Sequence, residues 1–350
     1  HLLIDKDITL AGDGPREEIV VEFPQDGPAQ YMGYDEDEGD QWLSFPVVLQ
    51  GSDAVVRSLT IAVPLGGGGI LVEGGAPEFA DLSILPHPDA EIRADYSAAE
   101  LMLPFEFMEG SSPIVRGSAW TGFLYGGESS PTFEGNSITA SVMALDGPGE
   151  VVLRGNTFLD GALLHLEFDL SGTIEGNDLT SGAIGMDGGT WMVKDNVVRG
   201  PTHVSRGPVV SVTSPAISFG GASSADIVGN TVTGFETGIQ VSDEAVATVE
   251  GNDLTGNDVG IAWDRTEDGG IEGNTVRGGI RGIEITAGDP SVVGNVVEDA
   301  SRLGVFIGVG TGPTLDGNRV CGNGTNLIVA DKAEPVMGEN EICPDEVAEA

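Results

Sequence analysis

Residues 248–264 read TVEGNDLTGNDVGIAWD, and residues 270–286 repeat the pattern as GIEGNTVRGGIRGIEIT. Each segment has an apolar residue, then Glu-Gly-Asn, then a polar–apolar–polar triplet. A glycine and a short alternating apolar stretch follow. Asn252 and Asn274 mark equivalent points of the two segments. Recurrence at a period of about 22 residues is typical of architectures in which repeats stack on one another.

The same pattern extends over most of the chain. An apolar residue stands three positions before and two positions after each aligned asparagine, and an alternating apolar pair follows about nine positions later. All but one of the intervals between successive aligned asparagines stay close to this period, and only the interval after Asn196 is much longer. The aligned residues are Asn136, Asn156, Asn177, Asn196, Asn230, Asn252, Asn274, Asn295, Asn318 and Asn340.

These repeats predict strands rather than helices. The apolar residues alternate with period two, many are β-branched, and the segments lack a sustained 3.6-residue period. Three short strands in about 22 residues cannot bury their own apolar side, so each repeat has to stack on its neighbours, about 4.8 Å away. The sequence therefore predicts an all-β, single-stranded, right-handed parallel β-helix solenoid with three parallel sheets and about 14 coils.

The predicted solenoid forms a single domain over residues 1–350. Earlier coils are more degenerate, with Leu59, Leu82 and Ser118 in the asparagine position. Loop insertions are predicted at about 24–46, 86–113 and 199–226. The repeated asparagine is interpreted as structural, because its side chain can bond its own backbone or the asparagine of the next coil, and because asparagine tolerates left-handed backbone angles. A buried ladder of these amides is the expected result.

The Gly-Asn repeats, LLIDKDITLAGDG (residues 2–14) and ILVEGGAPEFADLSI (residues 70–84) resemble the right-handed parallel β-helix superfamily, which is pectate-lyase-like. The resemblance covers almost the whole chain. It implies the fold and makes carbohydrate the expected ligand class. It does not imply a reaction, because function on such scaffolds lies in individual sites. The N-T-D and G-H-G motifs of polygalacturonases do not occur.

The charge balance limits the partners. The chain has 56 acidic residues against 15 basic ones, a formal net charge of −41. Such a surface repels nucleic acid and suits high salt, bound cations or neutral ligands. Without a long uninterrupted apolar run, membrane insertion within this segment is not expected. A monomer is expected, and the abrupt start of the sequence is interpreted as that of a fragment from a longer precursor.

Positive charge is concentrated at the third insertion and just before it, because Lys194, Arg199, His203 and Arg206 fall within one short stretch of the sequence. Polysaccharide lyases of the family that the chain resembles pair a basic residue with an arginine that neutralises the uronate. That resemblance implies Lys194, Arg199, Arg206 and His203 as candidate catalytic residues. The alternative is that these residues simply balance local acids on a surface loop.

The first two insertions carry weaker signals. Asp35, Asp37 and Asp40 belong to an acidic loop that is either a weak Ca²⁺ site or an ordinary exposed loop, since it departs from the EF-hand pattern. Beyond possible Ca²⁺, no cofactor is predicted. In the second insertion, which holds His87, Tyr96, Phe105 and Phe107, the aromatic residues either form a sugar-stacking platform or pack as a lid over the coil beneath them.

The two cysteines, Cys321 and Cys343, each stand three positions after an aligned asparagine, so one coil separates them. They should therefore be stacked neighbours within reach of a disulfide that staples the C-terminal coil. Such a bond indicates an oxidising, extracellular or cell-surface location.

Three functional hypotheses follow. The first is an extracellular β-helix with a non-catalytic binding or structural role and a polysaccharide or glycan as partner. The second is a polysaccharide lyase or related carbohydrate-active enzyme that uses Lys194, Arg199 and Arg206. The third is the ectodomain of a larger membrane or signalling protein.

Overall fold

The computed structural model describes residues 2–22, 31–33, 41–43, 45, 47–63, 67–86, 102–139, 142–159, 161–167, 169–200, 215–221, 224–264 and 269–345. The chain divides into two compact units, His1–Leu170 and Ser171–Ala350. Each unit is a stack of short parallel strands. The arrangement as one domain over residues 1–350 stays a prediction.

The first unit is built almost entirely of strands. Its one short helical element among the described residues is a 3-10 turn, Arg16–Glu18. The strands are Leu2–Ile4, Thr9–Ala11, Val20–Glu22, Tyr31–Gly33, Gln41–Leu43, Val47–Gln50, Val55–Val63, Gly67–Glu73, Glu78–Pro86, Met102–Phe107, Ile114–Arg116, Ala119–Thr121, Leu124–Gly127, Thr132–Glu134, Ser137–Thr139, Val142–Asp146, Gly149–Arg154, Thr157–Leu159 and Leu163–Leu166.

The second unit follows the same plan. The strand Leu170–Glu175 begins at the boundary between the units. The further strands are Asp178–Thr180, Ala183–Asp187, Thr190–Lys194, Val197–Arg199, Ile217–Gly220, Ser224–Val228, Thr231–Thr233, Thr237–Val241, Val246–Glu250, Asp253–Thr255, Val259–Trp263, Gly269–Glu272, Thr275–Arg277, Arg281–Ile285, Ser291–Val293, Val296–Glu298, Leu303–Ile307, Thr314–Asp316, Arg319–Cys321, Leu327–Val329, Val336–Met337 and Glu341–Ile342.

One sheet of each unit, which we call the front sheet, takes one strand from every coil. In the first unit its strands are Leu2–Ile4, Val47–Gln50, Gly67–Glu73, Met102–Phe107, Leu124–Gly127, Val142–Asp146 and Leu163–Leu166. In the second unit they are Ala183–Asp187, Ile217–Gly220, Thr237–Val241, Val259–Trp263, Arg281–Ile285, Leu303–Ile307 and Leu327–Val329.

Neighbouring strands of each front sheet pair in parallel. The all-β parallel solenoid is therefore confirmed, and seven front strands in each unit are close to the predicted number of about 14 coils.

Two side sheets flank each aligned asparagine, one strand before it and one after it. In the first coils these sheets are continuous, because Val55–Val63 and Glu78–Pro86 run through the bend and pair along their whole length. One antiparallel pair, Tyr31–Gly33 with Gln41–Leu43, lies within the first predicted insertion.

Apolar side chains of the alternating strands fill the interior. In the first unit Phe79, Phe105, Phe107, Trp120 and Phe133 form an aromatic stack with ring centroids 5.4 to 6.0 Å apart. Both Phe105 and Phe107 are fully buried there. The hypothesis of an exposed sugar-stacking platform is therefore wrong for these two rings, because strand alternation turns them inward. His87 and Tyr96, which belong to the same insertion, lie outside the described residues.

The aligned asparagines form a hydrogen-bonded ladder inside each unit. In the second unit Asn230 Nδ2 donates to Asn252 Oδ1 at 3.0 Å, and Asn252 Nδ2 donates to Asn274 Oδ1 at 2.9 Å. In the first unit Asn136 Nδ2 donates to Asn156 Oδ1 at 2.9 Å. Ser118 extends this ladder, since its backbone N–H donates to Asn136 Oδ1. The ladder therefore satisfies polar groups at a buried bend.

Left-handed backbone angles occur at the residue before the asparagine rather than at the asparagine itself. Gly251 and Gly273 have φ of 62° and 59°, and Asp195 takes the same conformation with φ of 55°. The expectation that the asparagine uses its own tolerance for these angles is therefore wrong. Its contribution is the side-chain amide, and the preceding residue makes the turn.

Cys321 and Cys343 form a disulfide between successive coils near the C-terminal end of the second unit. Within the part of the chain that the structure describes, no helix is long and apolar enough to cross a membrane.

Candidate functional site

Lys194 and Arg199 lie on the strands Thr190–Lys194 and Val197–Arg199, on either side of Asn196. Lys194 Nζ is 3.4 Å from Asp195 Oδ2 and 3.8 Å from Glu175 Oε1. The Arg199 guanidinium bonds the Asp178 carboxylate. His203 and Arg206 lie outside the described residues, as do Asp35, Asp37 and Asp40. A lyase centre at Lys194 and Arg199, and a Ca²⁺ site in the acidic loop, both stay predictions.

Ion pairs between coils are a general feature of the side sheets. In the first unit, the Glu134 carboxylate forms ion pairs with arginines of the coils on either side. Its Oε2 is 2.8 Å from Arg116 Nε, and its Oε1 is 3.6 Å from Arg154 Nη1. Lys194 and Arg199 have the same kind of surroundings. Neutralisation of neighbouring acids therefore accounts for the contacts of these two cations that the structure describes.

One group of three potential metal ligands occurs among the described residues, namely Cys321, Glu341 and Cys343. Its two sulfur atoms are bonded to each other as a disulfide. They therefore do not offer the thiolates that a metal ion requires.

A different cluster lies on the outer face of the front sheet in the first unit. Parallel register puts Glu106, Tyr125, Ala144 and His165 in one row across four successive strands. Asp146 and Glu167 stand two positions after Ala144 and His165, and so lie in the adjacent outward row. We call Glu106, Tyr125, Asp146, His165 and Glu167 the front cluster.

Tyr125 and Asp146 are the centre of this cluster. The Tyr125 hydroxyl donates to Asp146 Oδ2 at 3.2 Å, across one coil. Gly127 leaves the space beside this pair open. A Cβ at position 127 would stand 3.1 Å from Asp146 Oδ1 and 3.5 Å from the Tyr125 hydroxyl. The second carboxylate oxygen therefore faces a space that any larger residue at 127 would begin to fill.

His165 and Glu167 form the next pair along the face. His165 Nε2 is 3.0 Å from Glu167 Oε1, and the imidazole is 53% exposed. Between Tyr125 and His165 the row holds only the methyl group of Ala144. Tyr125 and His165 stand two strands apart, a backbone spacing of about 10 Å, and we call the outer face above Ala144 between them the slot.

Glu106 is the buried member of the cluster. It lies between the inward rings of Phe105 and Phe107, and it is only 9% exposed. Its Oε2 atom is buried and has no hydrogen-bond partner among the described residues. Burial, and secondly the negative charge of Glu73, raise the pKa of the Glu106 carboxyl. Glu73 itself accepts a bond from Gln50 Nε2 at 3.0 Å.

Tyr125 stays a protonated phenol. Burial is the largest cause that raises the pKa of its hydroxyl, followed by the charge of Asp146, the hydrogen bond to that carboxylate and the charge of Glu106. The cluster thus combines a phenol donor, an imidazole and carboxylates on one open face. In binding sites, a small number of polar groups that converge on one place fix the orientation of the ligand.

The sequence interpretation did not select this cluster, although a signal was present. In FEF, residues 105–107, a glutamate stands between two inward aromatic residues, and in LHLE, residues 164–167, a histidine and a glutamate alternate with the inward Leu164 and Leu166. A polar residue at an outward position is ordinary in one strand. Only the register between coils brings these particular residues together.

A shallow pocket of about 330 Å³ lies on the front face of the second unit. Asp187, Ser218, Gln240, Ser242 and Asp243 contribute its polar lining. Asp243 has φ of 55°, so the turn that carries it is left-handed. This pocket has hydroxyl, amide and carboxylate groups but lacks an imidazole side chain at its rim among the described lining residues.

Residues 182–342 match the family model described as the right handed beta helix region. The match covers somewhat less than half of the chain and lies within its second unit. The resemblance of the sequence to the right-handed parallel β-helix superfamily is confirmed by this match and by the architecture. No curated protein sequence matches the chain significantly.

Solved structures with the same fold include the periplasmic alginate epimerase AlgG. A double mutant of AlgG superposes with a TM-score of 0.60 at 13% sequence identity, over 93% of this chain and 84% of that one. Another AlgG structure gives 0.55 at 13% identity, over 96% and 85%. At this identity the likeness demonstrates a shared β-helix fold and does not extend to the reaction.

Proposed function

We propose that this protein is an extracytoplasmic β-helix that binds a glycan on the front face of its first unit. The proposal rests on two side-chain pairs that lie on either side of the small residue Ala144. Tyr125 bonds Asp146, and His165 bonds Glu167. They line an open slot on a rigid sheet, where a ligand meets groups that are already held in position.

The chemistry of the slot suits sugar hydroxyl groups. Asp146 Oδ1 and Glu167 Oε2 offer carboxylate acceptors, and such charge-assisted bonds are the stronger kind. The Tyr125 ring and the imidazole supply flat, partly apolar walls that cover a sugar ring without great loss of side-chain freedom. A parallel solenoid also continues its front sheet beyond the slot, so a chain-like ligand has neighbouring coils to contact.

Two further observations support the proposal. The AlgG structures, which share the fold, belong to an alginate epimerase, so a carbohydrate ligand is a natural one for this scaffold. The disulfide between Cys321 and Cys343 favours an oxidising compartment outside the cytoplasm. An ectodomain of a larger membrane or signalling protein, acting as a monomer, is compatible with both.

The test is calorimetric binding of a panel of neutral, amino-sugar and acidic oligosaccharides. We expect Tyr125→Ala to lower the affinity for the glycan that binds best by at least about tenfold, the loss of one good contact. Phe306→Ala is the matched control, since Phe306 is a half-buried aromatic residue at an outward front-sheet position of the second unit. Equal losses in both variants, or a panel without any binding, would count against the proposal.

Catalysis is the second candidate, and the raised pKa of Glu106 favours it. A carboxyl group with a raised pKa holds its proton to higher pH than an ordinary glutamate, and such a group can donate the proton to the leaving oxygen of a glycosidic bond. The assay is the appearance of new reducing ends, with Glu106→Gln as the inactive variant. Activity that survives this substitution would exclude Glu106 as the acid.

The lyase hypothesis at Lys194, Arg199 and Arg206 is tested separately. A lyase releases an unsaturated product that absorbs in the ultraviolet, and the reaction should be followed with and without Ca²⁺. Absorbance that is lost in Lys194→Ala would support this hypothesis. An equal signal from wild type and variant would remove Lys194 from the mechanism.

A further inference from the structure

The front cluster, together with Glu73 on the neighbouring strand, has more acidic than basic side chains. Glu73, Glu106, Asp146 and Glu167 lie on four front-sheet coils, and His165 is the only group among them that can become cationic. The five front strands from Gly67–Glu73 to Leu163–Leu166 contain neither lysine nor arginine. A carboxylate ligand would therefore meet like charges on this face with no described cation to neutralise it.

Two carboxylate oxygens of this face are available to a donor. Asp146 uses Oδ2 for the Tyr125 hydroxyl, and its Oδ1 faces the space left by Gly127. Glu167 uses Oε1 for His165 Nε2. An ammonium group that enters the slot has three protons to donate, and it can reach carboxylates that are fixed by their other bonds.

Glu106 provides an independent reason to expect a ligand here. Its Oε2 atom is buried and has no partner among the described residues, although it stands in the row beside Tyr125. A buried carboxylate without a donor is costly, and a cation held at the neighbouring carboxylates would lower the cost of its charge. The buried Glu106 carboxylate therefore favours a ligand that carries a positive charge over one that carries a carboxylate, such as a uronate.

We infer that the front cluster recognises an amino sugar, a glycan that carries free ammonium groups, rather than a polyuronate. This inference rests on the proposed glycan-binding function and names its ligand class. The ammonium bonds Asp146 Oδ1 and Glu167 while the sugar ring fills the slot above Ala144. The fold it shares with AlgG does not lead to this expectation, because AlgG is an alginate epimerase.

The experiment compares three hexasaccharides by isothermal calorimetry on the whole chain. They are a glucosamine oligomer, its N-acetylated form and an oligogalacturonate, the last with and without Ca²⁺. The first two differ only in the charge and acetyl group of the amine. We expect the glucosamine oligomer to bind at least about tenfold more tightly than the N-acetylated form, with the difference shrinking as salt is raised.

Two variants locate the effect. Asp146→Asn should remove most of that preference for the free amine, while it keeps an acceptor for the Tyr125 hydroxyl. Asp253→Asn is the control, because it removes the same charge from an exposed strand of the second unit and should leave the preference intact. Circular dichroism establishes that both variants fold.

Each outcome decides a separate statement. Tighter binding of the N-acetylated oligomer, equal binding of both, or a preference for the oligogalacturonate would overturn the amino-sugar inference and leave glycan binding in place. Loss of the preference in both variants would attribute it to net charge rather than to the front cluster, and so would also overturn the inference. Absence of binding by all three would overturn the inference and the proposed function together.

Discussion

Tyr125 and Asp146 lie on neighbouring coils, and the phenol of the first donates to the carboxylate of the second at 3.2 Å. Because the two residues are 21 positions apart in sequence, their pairing depends entirely on the register of the solenoid. The bond orients a carboxylate oxygen toward open space and keeps the phenol protonated. This is the relationship on which the binding proposal depends most directly.

Removing the negative charge from Asp146 should lower the pKa of Tyr125. Burial, the largest cause of the elevation, remains in Asp146→Asn, so the pKa should fall but stay above the ordinary value. Ultraviolet difference titration of the phenol, with Tyr125→Phe to identify its signal, measures the change. An unaltered or higher pKa in Asp146→Asn would contradict the electrostatic role of this carboxylate.

Glu106 should make the fold less stable as the pH rises. Its pKa is raised in the folded protein, so the folded state holds this proton more tightly than the unfolded state. The associated stability is complete below the unfolded pKa and is lost as the pH rises through the folded one. Glu106→Gln should therefore stabilise the protein relative to wild type at neutral pH, and by less in mild acid.

Thermal unfolding at several pH values measures this difference. Glu73→Gln supplies a control, since the charge of Glu73 is the second cause of the elevation. It should shift the pH dependence of the wild-type protein in the direction of an ordinary carboxyl group. A Glu106→Gln effect that stays constant from mild acid to neutral pH would show that Glu106 does not titrate abnormally.

Asn252→Ala should cost about 2–4 kcal/mol of unfolding free energy, the usual result of leaving buried polar groups unpaired. The substitution removes the acceptor of the Asn230 backbone N–H and the donor to the Ile227 carbonyl. Both groups lie inside the second unit. Hydrogen exchange should rise in the coils that contain Asn230 and Asn252 more than in distant coils, because contacts in a solenoid are made with nearest neighbours.

Asn340→Ala is the matched control for that loss. Asn340 makes the same bonds to Asn318 that Asn252 makes to Asn230. Asn340 is more exposed than Asn252, so water can replace these hydrogen bonds when the side chain is removed. We expect it to cost clearly less than Asn252→Ala in chemical denaturation. Equal costs would mean that burial does not determine the contribution of the ladder.

The sequence predicted the scaffold well because the scaffold repeats. Each Gly–Asn neighbourhood recurs in about ten coils, so local preference, burial and turn geometry agree at every copy. Prediction weakened in the early coils, where Leu59 and Leu82 take the asparagine position and the strands run straight through the bend. With leucine in place of asparagine at these positions, the repeat lacks the residue that identifies it in the later coils.

The candidate site was not predictable in the same way. Glu106, Tyr125 and His165 lie in three different coils and do not belong to the repeated pattern. They come into one row only through the register between the strands. The cluster of bases at Lys194 and Arg199 attracted attention because it is local in sequence. In the structure both cations contact neighbouring carboxylates, which a sequence window does not reveal.

The disulfide should stabilise the C-terminal coils of the second unit. It joins Cys321 to Cys343 across one coil, and loss of a link over a loop of this size costs about 3 kcal/mol in the chain-entropy account. The double variant Cys321→Ser, Cys343→Ser should show faster hydrogen exchange in Leu327–Val329 and Glu341–Ile342 than in Val246–Glu250. Unchanged exchange in the terminal strands would mean that stacking alone holds them.

Glu298 accepts from two arginines of adjacent coils, Arg277 Nε at 2.7 Å and Arg319 Nη1 at 3.1 Å. The bond from Arg277 is the largest cause that lowers the pKa of Glu298, with the charges of both arginines acting in the same direction. A carboxyl with a lowered folded pKa gives stability that is complete above the unfolded pKa and lost as the pH falls through the folded one.

Glu298→Gln should therefore destabilise the protein at neutral pH and approach wild type in acid. High salt should reduce the difference, because the ion pairs of Glu298 are partly exposed. Carboxyl NMR titration measures the pKa directly, and Arg277→Gln should raise it while Arg154→Gln, in the first unit, should leave it unchanged. A Glu298 pKa at the ordinary glutamate value, or one that ignores the loss of Arg277, would refute the coupling between these coils.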